Sequence, residues 1–485
     1  MDGLTLDRLG RATVLIALGL GMASAMVSAS FRTANFADGS LYLFAALTPD
    51  PWGILWFNFP LRASVFVFEI VPSWLAVRLT GDAQAGLVVY SLIRGSWPLL
   101  SLLATLALEE RGSGLSRMAA VSIVVFALPT TFFPTEMFVT HAFFWPFMAV
   151  LVRRSEPSVT LVAAFALPLA FSHEAGLLLV LSACLWSALV RQPLRIQAAL
   201  ATVVVAWFAV GQLAPPPTAE IAHVVATNRN NFLVPRGLLN RVSFAALAAI
   251  MTFLLLWAGL WRGALRALVG CLAAGITAAV IVYGGMLLAS PEPITDQRYT
   301  LRTVTFFAMA GVMAVITTHA LVERLRRGLL NRSRLWLWRQ RTVLTCIASL
   351  AFVVTALGQT VEAAVFLRQW ARLDRIVAGP APSADELPRY LTLLVAGREP
   401  VEGRSEQPGS AWSTSWEWAM PFHSLTVKGP LVGSFIIVPS VRRTFVPIDC
   451  PRLRSLDTET TRVPADRLAL LQSYFCDPGL VHVHH

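Results

Sequence analysis

The chain has 485 residues, 56% of them hydrophobic and 14% charged, a composition that excludes an ordinary soluble globular protein. Its net charge of +11 would point to nucleic acid in a soluble domain. Here much of the arginine sits in short loops between apolar runs, where positive-inside topology accounts for it, so nucleic-acid binding is not implied. Lys428 is the sole lysine among 39 basic side chains, a coding bias of GC-rich bacterial genomes.

Several apolar runs approach the roughly 20 residues that cross a hydrocarbon core about 30 Å thick. The chain therefore reads as a mainly α, polytopic helical membrane protein of about 12–13 transmembrane helices. Residues 12–31 form the first run. Ala23, Ser24 and Ala25 look like a signal-peptidase site, but Asp2 and Asp7 balance Arg8 and Arg11, so a retained first helix is expected. The polar segment 32–40 carries Asp38. Residues 41–60 are apolar and aromatic but are broken at Thr48-Pro49-Asp50-Pro51, because mid-membrane prolines and an aspartate leave backbone groups unsatisfied and a charge desolvated. Two short interfacial helices in an extracytoplasmic loop, 32–62, are expected instead.

Spans are then predicted at 63–79, 86–108, 118–133 and 136–152, the last two separated by a turn at Pro134. Residues 159–190 are long enough for two short crossings, with Ser172-His173-Glu174-Ala175-Gly176 at the far turn. Further spans fall at 197–214, 242–261, 267–289, 304–322 and 343–367. The stretch 323–341 carries seven arginines and one acid, and short basic loops stay cytoplasmic, so it fixes the sidedness. Counting from it places Glu136, His141, the 172–176 turn, Asn231 and Arg298 on the outer side. Near the start, either one further crossing lies between Arg32 and Arg78 or the loop at Glu109 is outside.

Residues 1–367 thus form the membrane domain, and 368–485 contain no further span. This tail is expected to be a small α+β extracytoplasmic domain, with strands at 431–438 and 443–448 and a helix at 466–474. Cys450 and Cys476 are a candidate disulfide if the tail lies in an oxidising compartment. Cys184, Cys271 and Cys346 fall inside apolar runs and pack as small hydrophobes. Trp412, Trp416 and Trp418 are placed either against the membrane domain or on sugar rings.

No phosphate-cradling loop, nucleophile elbow, zinc-protease or CxxC motif is present. The informative residues are ionisable groups at the outer face, where charge is costly without a partner or a function. Asp38 suits a general base on an acceptor hydroxyl, or else an N-cap for a helix beginning at Gly39 or Ser40. His173 beside Glu174 suits proton transfer, metal binding or a hydrogen bond to a sugar hydroxyl, or else a capped turn with Ser172 at the N-cap; adjacent helical residues diverge by about 100°, so the two share one direction only at a distorted turn. Glu136 and His141 flank a turn on the same side. Arg298 and Arg302, one helical turn apart, present two guanidiniums suited to a phosphate. Arg94 and Glu69, both within apolar runs, are expected to pair.

The early loop with an aspartate and two short segments, the many spans, the outward arginines and the outward tail together resemble the GT-C superfamily of polytopic glycosyltransferases. The likeness is one of architecture, with Asp38 as its residue-level match; Asp50 or Glu136 would supply the second acid. It implies transfer of a sugar from a polyprenyl-phosphate donor to a glycan or lipid acceptor, on the periplasmic side of a bacterial inner membrane. Asp38, His173 and Glu174 would be catalytic, Glu136 and His141 would line the cavity, and Arg298 and Arg302 would hold the donor phosphate. No cofactor is required and a divalent metal is not indicated; the oligomeric state is left open. Two competing readings are a transporter or flippase, from the helix-interrupting Pro129, Pro134, Pro146 and Pro168, and a non-catalytic scaffold whose tail recruits partners.

Overall fold

The computed structural model describes residues 3–36, 38–48, 50–53, 61–110, 115–126, 135–153 (helix termini included), 157–214, helical positions between 309 and 317 and between 363 and 377, and residues 420–428, 436–439, 445–456 and 465–476. Among these the fold is mainly helical. Helix α1 (Gly3–Phe31) ends at Arg32, whose φ of 53° is left-handed, and a 3-10 turn (Thr33–Asn35) leads into α2 (Asp38–Leu47). Helix α2 stops where Pro49 disfavours helical backbone at Thr48, and the Thr48 hydroxyl donates to the Ala45 carbonyl at 2.7 Å.

Helix α3 (Ala63–Thr80) contains a π turn at Phe66–Ile70, directly before Pro72. Proline has no N–H for the carbonyl four residues earlier and crowds it, so the backbone widens there. Helix α4 (Ala83–Leu108) starts under an Asp82 cap, which accepts from the Gln84 amide at 2.8 Å. Then come α5 (Leu115–Phe126), α6 (Glu136–Leu151), α7 (Val159–Ala170), α8 (Glu174–Leu189) and α9 (Leu194–Leu213). Thr135, Ser158 and His173 cap α6, α7 and α8.

Helix α1 packs on α4 and α5, α4 also on α3 and α6, α6 on α7, and α9 on both α7 and α8. Among the described residues, four helices are long and apolar enough to cross a membrane: residues Arg11–Phe31 of α1, α3, α4 and α9. The apolar α6, α7 and α8 are shorter, at 16, 12 and 16 residues. Large side chains such as Leu15, Leu79, Leu185, Val205 and Leu213 remain exposed on the bundle exterior, a surface ill suited to water.

The expected spans at 63–79, 86–108, 136–152 and 197–214 correspond to α3, α4, α6 and α9, and 159–190 divides into α7 and α8 as anticipated. Of the span expected at 118–133, the described helix, Leu115–Phe126, starts earlier, and 127–133 lie outside the described residues. Those at 242–261 and 267–289, like the arginine-rich stretch 323–341, lie outside the described residues, as do most of those at 304–322 and 343–367.

The second departure is α2. An interfacial helix should keep one face in water or headgroups, yet every described side chain from Gly39 to Thr48 is buried. Tyr42, Leu43 and Ala46 pack with Val65, Leu87, Tyr90 and Trp97 of the bundle. Leu41, Phe44 and Ala45 pack on the other side with Phe422, Leu425, Leu453, Leu468 and Leu471. Those partners belong to the tail: α10 (Met420–Lys428), α11 (Cys450–Arg454) and α12 (Ala465–Cys476), accompanied by an antiparallel pair β1 (Ile436–Pro439) and β2 (Phe445–Ile448). Cys450 and Cys476 form a disulfide with Cα atoms 5.2 Å apart. Cys184 is the free cysteine among the described residues.

The boundary expected at 367/368 falls inside a helical stretch. Phe366, Trp370, Asp374 and Val377 are all buried, at helical spacing. The Trp370 indole donates to the Phe31 carbonyl at 2.8 Å, and Asp374 pairs with Arg32. His423 of α10 stacks on Trp370 with ring centroids 4.8 Å apart.

Candidate functional site

Three helix starts converge on one side of the bundle. Ser64, at the start of α3, donates its amide to the Phe171 carbonyl at 3.2 Å and its hydroxyl to the Pro168 carbonyl at 3.0 Å. Thr140 of α6 meets Ser172 at 2.8 Å. These bonds bring Arg62, just before α3, to the first residues of α6 and α8, which are Glu136 and Glu174. Arg62 Nη1 lies 3.0 Å from Glu136 Oε2, and Arg62 Nη2 lies 3.6 Å from Glu174 Oε1. Both carboxylates sit at helix N-termini, where the positive end of the helix dipole favours their charge and offsets part of the cost of burying Glu136.

The chain of charges continues inward. Arg94 of α4 lies 3.7 Å from Glu136 Oε1 through Nη2 and 3.4 Å from Glu69 Oε2 through Nε. Glu69, in the π turn of α3, accepts from the Trp97 indole at 2.7 Å. The expected Arg94–Glu69 pair is therefore present, extended by Glu136. Glu69, Arg94 and Glu136 are almost fully buried, whereas the Glu174 side chain is 54% exposed. Two arginines and two glutamates balance in the interior, with the third glutamate at the exposed end. Unpaired burial of any one of them would cost several kcal/mol, on the order of 3–5.

Helix α2 closes over this network. Tyr42 accepts from Arg62 Nη1 at 3.3 Å, and its ring lies 5.8 Å from the Arg94 guanidinium carbon, with the Tyr90 ring 5.5 Å away. Asp38 is the first residue of α2, one turn before Tyr42. The neighbouring Gly39 is held tightly: a Cβ there would stand 1.7 Å from the Ala34 carbonyl oxygen and 3.7 Å from Arg94 Nη1.

His173 has extended backbone and Glu174 opens α8, so the turn does bring the two together, with Nδ1 3.2 Å from Glu174 Oε2. Nδ1 also accepts from the Ala175 amide at 3.1 Å, which places the imidazole proton on Nε2 and makes the Glu174 approach a contact rather than a hydrogen bond. His173, not Ser172, is the cap. His141 is placed elsewhere. It is buried, and its Nε2 accepts from the Trp145 indole at 3.1 Å and meets the Ser122 hydroxyl at 2.5 Å. An indole N–H only donates, so Nε2 is unprotonated and His141 is a neutral histidine within the packing of α5 against α6. Asp50 is a turn cap, accepting from the Gly53 amide at 2.9 Å. Of the two acids named for the second position, only Glu136 joins the network.

Arg298, Arg302, Asn231 and the three tail tryptophans lie outside the described residues. Arg62 and Tyr42 were missed by sequence reasoning. Arg62 passes for an ordinary flanking arginine, although a charge at the very start of an apolar run is a signal worth following. Among the described residues no group of three His, Cys, Asp or Glu side chains is placed to hold a metal ion. No family model matches the sequence, and no characterised protein or solved structure is significantly similar to it.

Proposed function

We propose that the chain is an integral membrane glycosyltransferase that moves a sugar from a polyprenyl-phosphate donor to a glycan or lipid acceptor on the extracytoplasmic face of a bacterial inner membrane. The observation that carries this reading is the buried Arg62–Glu136–Arg94–Glu69 network beneath the helix that begins at Asp38, in a bundle whose remaining interior is mostly apolar. Buried charge in an apolar bundle is retained for function or specificity more readily than for stability.

In this reading Asp38 takes the proton of the acceptor hydroxyl as its oxygen attacks the anomeric carbon. The bond from that carbon to the donor phosphate oxygen breaks, and the phosphate keeps the electron pair. Glu136 and Arg62 fix the electrostatic field beside Asp38, and Glu174 with His173 stands at the solvent-facing end. Arg298 and Arg302 hold the departing phosphate. The tail is a periplasmic α+β domain.

The test is Asp38→Asn and Arg62→Met in the native host, at protein levels matched to wild type, reading surface glycans and accumulated lipid-linked sugars. Loss of a glycan with build-up of its lipid-linked donor supports transfer. Unchanged glycans and lipids remove Asp38 as the base. A transporter or flippase is the second reading, favoured by the π turn in α3 and by Pro98, Pro146 and Pro168 inside helices, as in spans that break around a substrate. Donor flux into proteoliposomes without sugar transfer would select it.

A further inference from the structure

We infer that the Cys450–Cys476 disulfide is a redox latch that seats the C-terminal helices on the outer face of α2. The inference is independent of the chemistry proposed above.

Among its described side chains, helix α2 has none that faces solvent. Its Leu41, Phe44 and Ala45 are buried in one apolar cluster with residues of α10, α11 and α12; α10 packs on α2, with the Phe44 and Phe422 rings edge to face at 5.2 Å, and α12 backs α10 and α11. One of those elements cannot hold its place alone. Helix α11 is five residues long, far below the length at which an isolated helix is stable in water. Its Leu453 is nevertheless fully buried in the cluster, which also takes in Cys476, the last residue of α12.

The bonds that finish these helix ends depend on their being side by side. Gln472 of α12 donates to the carbonyls of Leu453 and Leu456 at 3.0 and 3.3 Å, and Arg454 Nη2 donates to the Cys476 carbonyl at 2.8 Å. The disulfide closes a sequence separation of 26 at this contact. It joins the first residue of α11 to the last of α12 and contributes Cys476 to the apolar cluster itself.

Forming the bond removes two protons and two electrons from the pair of thiols. Exchange with an external disulfide takes them up, reducing that disulfide to two thiols; a dithiol reductant runs the same exchange backwards. Oxidised, the latch holds α11 and α12 together and α2 covered. Reduced, it releases them, and Leu41, Phe44 and Ala45 lose their cover while Tyr42, Leu43 and Ala46 stay packed on the bundle. Since α2 begins at Asp38, the latch links the redox state of the tail's compartment to the seating of the candidate site.

The experiment is hydroxyl-radical footprinting of the full-length protein in nanodiscs, read by mass spectrometry before and after reduction with dithiothreitol, and on the C450A/C476A double variant. The expected result is a severalfold rise in oxidation of Phe44 and Phe422 in the reduced protein and the double variant, with Tyr42 protected throughout even though tyrosine is an inherently reactive side chain. Unchanged Phe44 and Phe422, a matching rise at Tyr42, or free thiols at both positions in the protein as isolated would each overturn the inference.

Discussion

The residues that most distinguish this interior are Arg62 and Arg94, each held between two carboxylates. Arg94 is the more constrained: it is 2% exposed and lies between the Tyr42 and Tyr90 rings. Arg94→Met leaves Glu69 and Glu136 buried without their shared cation, and should lower unfolding stability by roughly 3–5 kcal/mol. Adding Glu69→Gln should recover part of that loss. Thermal or denaturant unfolding in detergent measures both, and a single-variant loss below about 1 kcal/mol would show that the guanidinium does not compensate the acids. His141 is a different case, because its hydrogen bonds are to Trp145 and Ser122. His141→Phe strands both donors, at a cost of about 1–3 kcal/mol, and glycan output per folded molecule should stay at the wild-type level.

At the scale of elements, close approach and covalent closure govern the site. Gly39 has no room for a side chain, since a Cβ would stand 1.7 Å from the Ala34 carbonyl oxygen. Gly39→Ala must therefore shift the first turn of α2, and Asp38 with it. A displacement of about 1 Å at a reacting group costs on the order of 10²-fold in rate. On the glycosyltransferase reading proposed above, surface glycan should fall accordingly while helix content by circular dichroism is kept; full activity in a well-folded G39A would remove Asp38 from the proposed chemistry. Gly95 serves α1 in the same way, with a Cβ there meeting Ser28 Cβ at 2.6 Å and the Ser24 carbonyl at 2.8 Å. For the tail, the C450A/C476A pair should destabilise by about 2–4 kcal/mol through the freed chain entropy of the unfolded state. A C-terminal unfolding transition that separates from that of the bundle is the signature to look for.

Across the whole molecule, the tail is tied to the bundle a second time where Arg32, Asp374, His423 and Gln84 meet. Arg32 bonds Gln84 at 2.7 Å and pairs with Asp374, and His423 Nε2 approaches Asp374 Oδ1 at 3.6 Å. Burial pushes the Asp374 carboxyl up, but His423 and Arg32 outweigh it and hold the group below its ordinary value. A depressed carboxylate stabilises the fold at pH above its unfolded pKa of about 3.9, and that contribution is lost as pH falls through the lower folded value. The melting temperature of wild type should therefore exceed that of Asp374→Asn at neutral pH and converge on it in acid. Parallel curves would show that the carboxylate charge contributes nothing. The sequence by itself determined what is local: where apolar runs are long enough for a helix, where Thr48-Pro49-Asp50-Pro51 breaks one, and that Arg94 and Glu69, buried in apolar runs, need a partner. Length, periodicity and capping are properties of neighbouring residues, and they are readable without knowing the fold. Only the tertiary structure decided that Arg62 meets Glu136 and Glu174, that Tyr42 bridges two arginines and that α2 is covered on both sides. Those contacts join residues tens to hundreds of positions apart, and pairing at such distances depends on which helix ends the packing brings together.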